Sequence, residues 1–261
     1  MMLPFLIFLY LGGIPLWGLC VVLSAVGMHE FYNGFKAMGL DAARKVGYIS
    51  MALLYVLLLL DNMGMLGDHY ETLMKFWLVL TMFLSLVNNV FAPDHNIYSG
   101  IIGGLASLYI GFFTSHIYLT ERLDGGHSPM VWLIFITAFG TDIMAYFGGY
   151  FLGKHKLSPE LSPKKTVEGA VSGVLGSAVL SGLFALFFIK SHVWHCVLLG
   201  IISSAVAQLG DLTASSFKRK MGIKDYGNLI PGHGGIMDRF DSVIFTAPFI
   251  YYFGKVIIGL V

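Results

Sequence analysis

Charged side chains are scarce in this sequence. Asp, Glu, Lys and Arg make up 12% of its 261 residues, about half of the roughly 25% carried by water-soluble chains. That shortage excludes an ordinary cytosolic enzyme and a disordered tail, both of which need charge to stay in water. Cysteine is nearly missing as well. Cys20 and Cys196 are the only two, each in an apolar run and far apart in the chain. A secreted disulfide scaffold is therefore excluded, and both read as small buried hydrophobes. Neither sign of charge dominates, since the net charge is +1, so nothing calls for a nucleic-acid partner. Low-complexity linkers and alignable internal repeats are also lacking.

What is present is apolar: 56% of the residues are hydrophobic. A helix that crosses about 30 Å of hydrocarbon needs about 20 such residues in a row. Stretches of this kind fall at 3–27, 46–65, 76–92, 100–119, 130–151, 168–189, 193–214 and 242–261. Gly12-Gly13-Ile14-Pro15 can break the first into two short helices, so eight spans are expected, with nine as the alternative. No small-residue cleavage site follows a basic start, and the first segment is read as retained. The expected fold is all-α: one polytopic transmembrane helix bundle over 1–261, with N-terminal spans in 1–129 and C-terminal spans and loops in 130–261.

The connections near 34–45, 93–99, 152–167 and 215–241 share one side of such a bundle, and they carry twelve of the 16 Lys and Arg residues. The opposite side has Lys75, Arg122, Lys190 and Lys255. Basic loops stay in the cytoplasm, so the first set is expected there. Trp77, Trp132 and Trp194 begin spans on the other side, where amphipathic rings anchor in the interface.

Acids inside hydrocarbon cost about 2.5–3.5 kcal/mol each on insertion scales. Asp142 and Asp211 lie inside spans with no basic neighbour in their own segments, so each must meet a cation, a buried donor or water from elsewhere. Glu30 and Asp61 lie nearer span ends and read as structural or interfacial. The last cytoplasmic loop holds far more polar chemistry than topology requires. It contains Lys218, Arg219, Lys224, Asp225, His233, Asp238, Arg239 and Asp241 around the run Pro231-Gly232-His233-Gly234-Gly235. That run cannot sustain a helix, and Gly234 and Gly235 let backbone N–H groups approach an anion. Asp211 and Asp238 suit Mg²⁺, which takes one or two protein carboxylates and fills its shell with phosphate oxygens and water. Lys218, Arg219, Lys224 and Arg239 suit the phosphates themselves. Asp238 and Asp241, at i and i+3, share a face if helical.

The preceding loop carries Lys154, Lys156, Ser162, Lys164, Lys165 and Thr166. Thr166 is a plausible N-cap for the following span. The paired lysines suit nucleotide phosphates or anionic lipid; the alternative is plain juxtamembrane anchoring. Gly149-x-x-x-Gly153 and Gly169-x-x-x-Gly173 read as close helix-packing surfaces. His116 and His195 show no ligand spacing and read as structural.

The run from Ser215 to Asp241 resembles the phosphatidate cytidylyltransferase (CDP-diacylglycerol synthase) family. The matching positions are Ser215, Lys218, Arg219, Lys224, Asp225, Gly227, Pro231, His233, Gly234, Gly235, Asp238, Arg239 and Asp241. The likeness extends to Asp142-x-x-Ala145-Tyr146 and to Ser162-Pro163-Lys164-Lys165-Thr166-x-Glu168-Gly169. The N-terminus is more compact than is common in the family.

This resemblance implies transfer of a cytidylyl group from CTP to phosphatidic acid in a cytoplasm-facing cavity open sideways to membrane lipid. It implies Mg²⁺ at Asp211 and Asp238, with Asp241 helping to bind a second cation, and it implies a homodimer. Lys218, Arg219, Lys224 and Arg239 would neutralise the triphosphate, Asp225 and His233 would belong to the catalytic loop, and Asp142, Ser162, Lys164, Lys165, Thr166, Gly234 and Gly235 would bind substrate. The expected location is a multi-pass position in the membrane, the plasma membrane if the source is bacterial. The alternatives are a transporter of a phosphate-bearing solute and another CTP-using lipid enzyme.

Overall fold

A computed structural model describes residues 2–91, 97–228 and 234–260. Among them, eight helices are long and apolar enough to cross a membrane: Gly13–Ala37, Arg44–Asn62, Gly67–Phe91, Ile97–Glu121, Met130–Leu152, Val167–Phe188, Lys190–Met221 and Met237–Ile258. The chain is an integral, multi-pass membrane protein. The first expected span is corrected. Its apolar run splits into α1 (Met2–Leu11) and α2 (Gly13–Ala37), because Gly12 and Gly13 take left-handed backbone at φ +62° and +52°, a conformation that glycine adopts without steric cost. The span is the second piece, shifted by ten residues from the expected start.

Two compact units are built from interleaved segments. One comprises Trp17–Ser115 and Met221–Asp238; the other comprises Met1–Leu16, His116–Lys220 and Arg239–Val261.

In the first unit, α2 from Trp17 onward is joined by α3 (Arg44–Asn62), α4 (Tyr70–Phe91), α5 (Ile97–Ala106) and a π-helical turn at Ser107–Phe112. Its core is aromatic, with Phe31, Tyr32, Tyr55 and Trp77 buried. Several hydroxyls inside it pair across helices, as a low-dielectric interior favours. Ser50 Oγ lies 2.5 Å from Thr81 Oγ1 and 2.9 Å from Ser107 Oγ. Trp77 departs from expectation. It is 2% exposed, its indole N–H donates to the Ser50 carbonyl at 2.8 Å, and its ring stacks on Phe112. An indole with a protein acceptor inside the bundle has no need of the interface.

The second unit takes in most of α6 (Phe113–Glu121) and packs α7 (Met130–Leu152) against α8 (Val167–Phe188) along glycines. A Cβ on Gly169 would stand 2.7 Å from the Ala145 carbonyl oxygen, and one on Gly173 3.1 Å from that of Thr141. Only glycine permits that approach, which bears out the small-residue packing read from sequence. Gly153 differs: it caps α7 in extended backbone rather than continuing the helix surface. Between α7 and α8 the expected loop folds into an antiparallel hairpin, β1 (Lys156–Ser158) and β2 (Ser162–Thr166). Cys20 and Cys196 are free and buried, as expected.

The last expected loop is shorter than its sequence suggested. Helix α9 (Val193–Met221) runs on through Ser215, Lys218 and Arg219, and α10 begins at Met237 (Met237–Tyr252). Lys and Arg are good helix formers and favour a helix C-terminus. Gly222, at φ +69°, then ends α9.

Candidate active site

Within the second unit, three carboxylates from three helices feel one another's charge: Asp142 on α7, Asp211 on α9 and Asp241 on α10. The backbone crossing that unites two of them is set by Gly210, whose absent Cβ would lie 2.9 Å from the Asp241 carbonyl oxygen. Asp211 is ion-paired with Lys165 from β2 and receives a long hydrogen bond from Ser215 Oγ at 3.5 Å. Asp142 is hydrogen-bonded with the Ser242 side chain and is attracted by Lys165. Asp241 is 8% exposed; its carboxylate accepts the Ser242 amide at 2.7 Å and is attracted by Lys218. The cation that Asp142 and Asp211 needed therefore comes from the hairpin, as Lys165, while Lys218 near the end of α9 serves Asp241.

The hairpin is held in place by its own chemistry. Thr166 is extended, at φ −123°, and its hydroxyl accepts the Gly169 amide at 3.1 Å, the expected N-cap of α8. Glu168 accepts the backbone amides of Lys154 at 3.0 Å and His155 at 3.2 Å, and its other oxygen lies 2.6 Å from His155 Nδ1. These contacts fix both ends of the hairpin, so β2 presents its lysines to a cavity of about 330 Å³. That cavity is lined by Asp142, Tyr146, Tyr150, Lys164, Lys165 and Gln208, together with Thr166 and the glycine faces of α7 and α8. Ser162 does not line it; this residue starts β2 opposite Ser158.

A second polar cluster lies inside the first unit. Glu30, 5% exposed on α2, accepts the amides of Ile236 at 3.0 Å and Met237 at 2.9 Å. A carboxylate there satisfies orphan N–H groups at the start of α10 and complements its dipole. Gly227 and Gly235 crowd the same carboxylate, within 2.5 Å of a notional Cβ on either. Asp238 closes the loop with one oxygen, Oδ2, which accepts Tyr226 N–H at 2.8 Å and Gly235 N–H at 3.0 Å. Gly234 has φ +84°. Lys224, Asp225, Arg219 and Arg239 are exposed to solvent. Pro231, Gly232 and His233 lie outside the described residues.

Sequence reasoning treated Glu30 as a span-end residue and missed its grip on the loop. The available signal was a lone acid in an apolar segment, which calls for a named partner. Ser242 and Tyr150 were also missed; a serine and a tyrosine in apolar runs carry no such flag.

The donor set can be weighed for a divalent ion. Among the described residues, no three His, Cys, Asp or Glu side chains converge as a metal-holding group. A fully protein-caged ion such as structural zinc does not fit. Asp142, Asp211 and Asp241 are the acidic oxygens on offer here, with Lys165 and Lys218 beside them. Hydrated Mg²⁺, which uses one or two carboxylates and completes its shell with water and phosphate, does fit.

Lysines on a pinned hairpin, facing a carboxylate cluster inside a membrane helix bundle, define a polytopic membrane protein equipped to handle phosphate groups. The chain belongs to the cytidylyltransferase family, whose pattern it matches over residues 1–257. It is a nucleotidyltransferase by that membership. It is similar to a phosphatidate cytidylyltransferase of Staphylococcus haemolyticus (strain JCSC1435), 34% identical over 95% of this chain and 92% of the relative. The phosphatidate cytidylyltransferase of Bacillus subtilis (strain 168) is 34% identical over 95% of this chain and 91% of its own length. That of Synechocystis sp. (strain ATCC 27184 / PCC 6803 / Kazusa) is 35% identical over 94% and 90%.

Proposed function

We propose that this protein transfers the cytidylyl group of CTP to phosphatidate, forming CDP-diacylglycerol and pyrophosphate at the cytoplasmic face of the membrane. The observation that carries the reading is the cavity in which Lys164 and Lys165 stand beside Asp142, with Lys165 paired to Asp211. In the reaction an oxygen of the lipid phosphomonoester attacks the α-phosphorus of CTP, and the bond from that phosphorus to the bridging oxygen breaks. The electron pair leaves with pyrophosphate. A phosphomonoester has a second pKa of about 6, so much of it is already dianionic at neutral pH and no strong base is required. The work left to the protein is alignment and charge neutralisation. Lys164 and Lys165 hold phosphate oxygens, Lys218 and Arg219 extend the positive charge along the end of α9, and Lys224 and Arg239 attract the triphosphate from solution.

Asp211 and Asp241, and Asp238 by its place in the family pattern, are the carboxylates we assign to Mg²⁺ and to a second cation. The metal, when bound, supplies charge neutralisation between the two phosphate-bearing substrates. Asp225, His233, Gly234 and Gly235 belong to the loop that completes the nucleotide site, and Ser162 to the hairpin that supports it. The homodimer implied by the sequence resemblance is part of the same proposal, with light scattering of the detergent-solubilised protein as its check. The deciding assay mixes purified protein, CTP and phosphatidate across a Mg²⁺ titration and separates the products. Metal-dependent pyrophosphate together with CDP-diacylglycerol is expected. Release of CDP would indicate a lipid kinase, and no consumption of CTP would leave a transporter in its place.

A further inference from the structure

The lysine cavity has an apolar neighbour. A groove of about 460 Å³ runs between α8 and α9, walled by Leu157, Val171, Val174, Leu175, Ala205 and Leu209. Leu157, Ala170 and Gln208 line both this groove and the charged cavity, so the two share a seam. At that seam Gln208 Nε2 donates to the Ala170 carbonyl at 3.2 Å and to Ser204 Oγ at 3.4 Å, which ties α8 to α9 where the lining changes from polar to apolar. Gly200 allows the same pair of helices to approach closely, since a Cβ there would stand 2.7 Å from the Ser177 carbonyl oxygen. From Ala170 to Leu175 the α8 wall descends about 7.5 Å at 1.5 Å per residue. Leu175 and Leu209 expose 63% and 59% of their surface along it.

An ordinary lipid-facing helix surface ends in no cationic pocket. Here an apolar groove shares a wall with a cavity that holds two lysines, with the Gln208 amide at the boundary. The ligand that satisfies the whole path carries a dianionic phosphate at one end and a hydrocarbon chain at the other, joined through polar ester groups. We infer that the α8–α9 groove holds an acyl chain of the lipid phosphate substrate while its phosphate occupies the Lys164–Lys165 pocket. The inference rests on the phosphatidate reading above and deepens it. The groove fixes how far the headgroup can rise, and its deep end, at Val174, Leu175 and Ala205, sets the preference for chain length.

The test compares dioleoyl-phosphatidate with dihexanoyl-phosphatidate, whose six-carbon chains bury far less apolar surface along the groove. Ala205→Phe is expected to lower the ratio of kcat/KM for dioleoyl over dihexanoyl substrate at least fivefold relative to wild type, with KM rather than kcat carrying the change. An unchanged ratio, including an equal loss on both substrates, overturns the proposal. Should Ala205→Phe fail to fold, Ala205→Val is read on the same ratio, with a smaller shift in the same direction. Binding is checked separately with wild-type protein and phosphatidate bearing a diazirine on its acyl chain. Cross-links should map to α8 and α9 and be competed by dioleoyl-phosphatidate far better than by dioleoyl-phosphatidylcholine. Equal competition would mean that the groove is covered by bulk lipid, and the proposal falls. A wild-type protein that turns over neither phosphatidate refutes the broader reading, an outcome distinct from either of these.

Discussion

Glu30 offers the sharpest test of how the loop that carries Asp238 is held. Glu30→Gln keeps the side-chain volume but removes the charge and one of the two acceptors now serving Ile236 and Met237. Hydrogen bonds to a charged group are worth about 1.5–3 kcal/mol each, and neutral ones about 0.5–1.5. Exchanging two of the former for one of the latter therefore costs about 1.5–5.5 kcal/mol. Asp238 repels Glu30, so neutralisation recovers part of this and leaves a net cost of about 2 kcal/mol. At 1.36 kcal/mol per factor of ten, local opening at the start of α10 becomes about 30-fold more frequent. Hydrogen–deuterium exchange reads this directly: protection of the Ile236 and Met237 amides should fall by that factor. Amides in α4, remote in sequence, should keep theirs. Turnover of CTP should drop with the protection, and Glu30→Ala should be worse on both measures. Unchanged protection at Ile236 and Met237 in Glu30→Gln would refute the assignment of Glu30 as the clamp.

Lys165→Met leaves Asp211 without its ion-pair partner and the cavity without one of its two lysines; at least a tenfold loss of kcat/KM for CTP-dependent turnover is expected, with Lys165→Arg recovering part of it, and equal activity of Met and wild type would sink the role. Thr166→Ala removes the N-cap of α8 and should cost about 1 kcal/mol of stability, seen as a lower melting temperature in detergent that Thr166→Ser restores. Gly169→Leu drives a side chain into the Ala145 carbonyl, which no rotamer change relieves, so monodisperse protein should not be recovered; normal yield would contradict the close α7–α8 packing. Asp238→Asn should abolish Mg²⁺-dependent pyrophosphate release while the protein still inserts and purifies, and wild-type activity in that variant would end the metal assignment.

The membrane class followed from composition alone, because hydrocarbon demands long uncharged helices whatever their partners. The spans expected at 130–151 and 168–189 were legible to within a residue, since polar loops bound them, whereas the last two helices reach several residues further into the loop between them. The enzyme class was legible too, through the family resemblance carried by the run from Ser215 to Asp241. Tertiary structure decided what local pattern does not encode. Whether Gly12-Gly13 bends a helix or ends it depended on the backbone those two glycines adopt. Trp77 was a plausible interface anchor until the Ser50 carbonyl offered its indole a partner inside the bundle. Pairing of Lys165 with Asp211, 46 positions apart, and the grip of Glu30 on amides more than two hundred residues away are events of three-dimensional proximity. Hydrophobic length is a property of one segment, whereas charge compensation is a property of at least two.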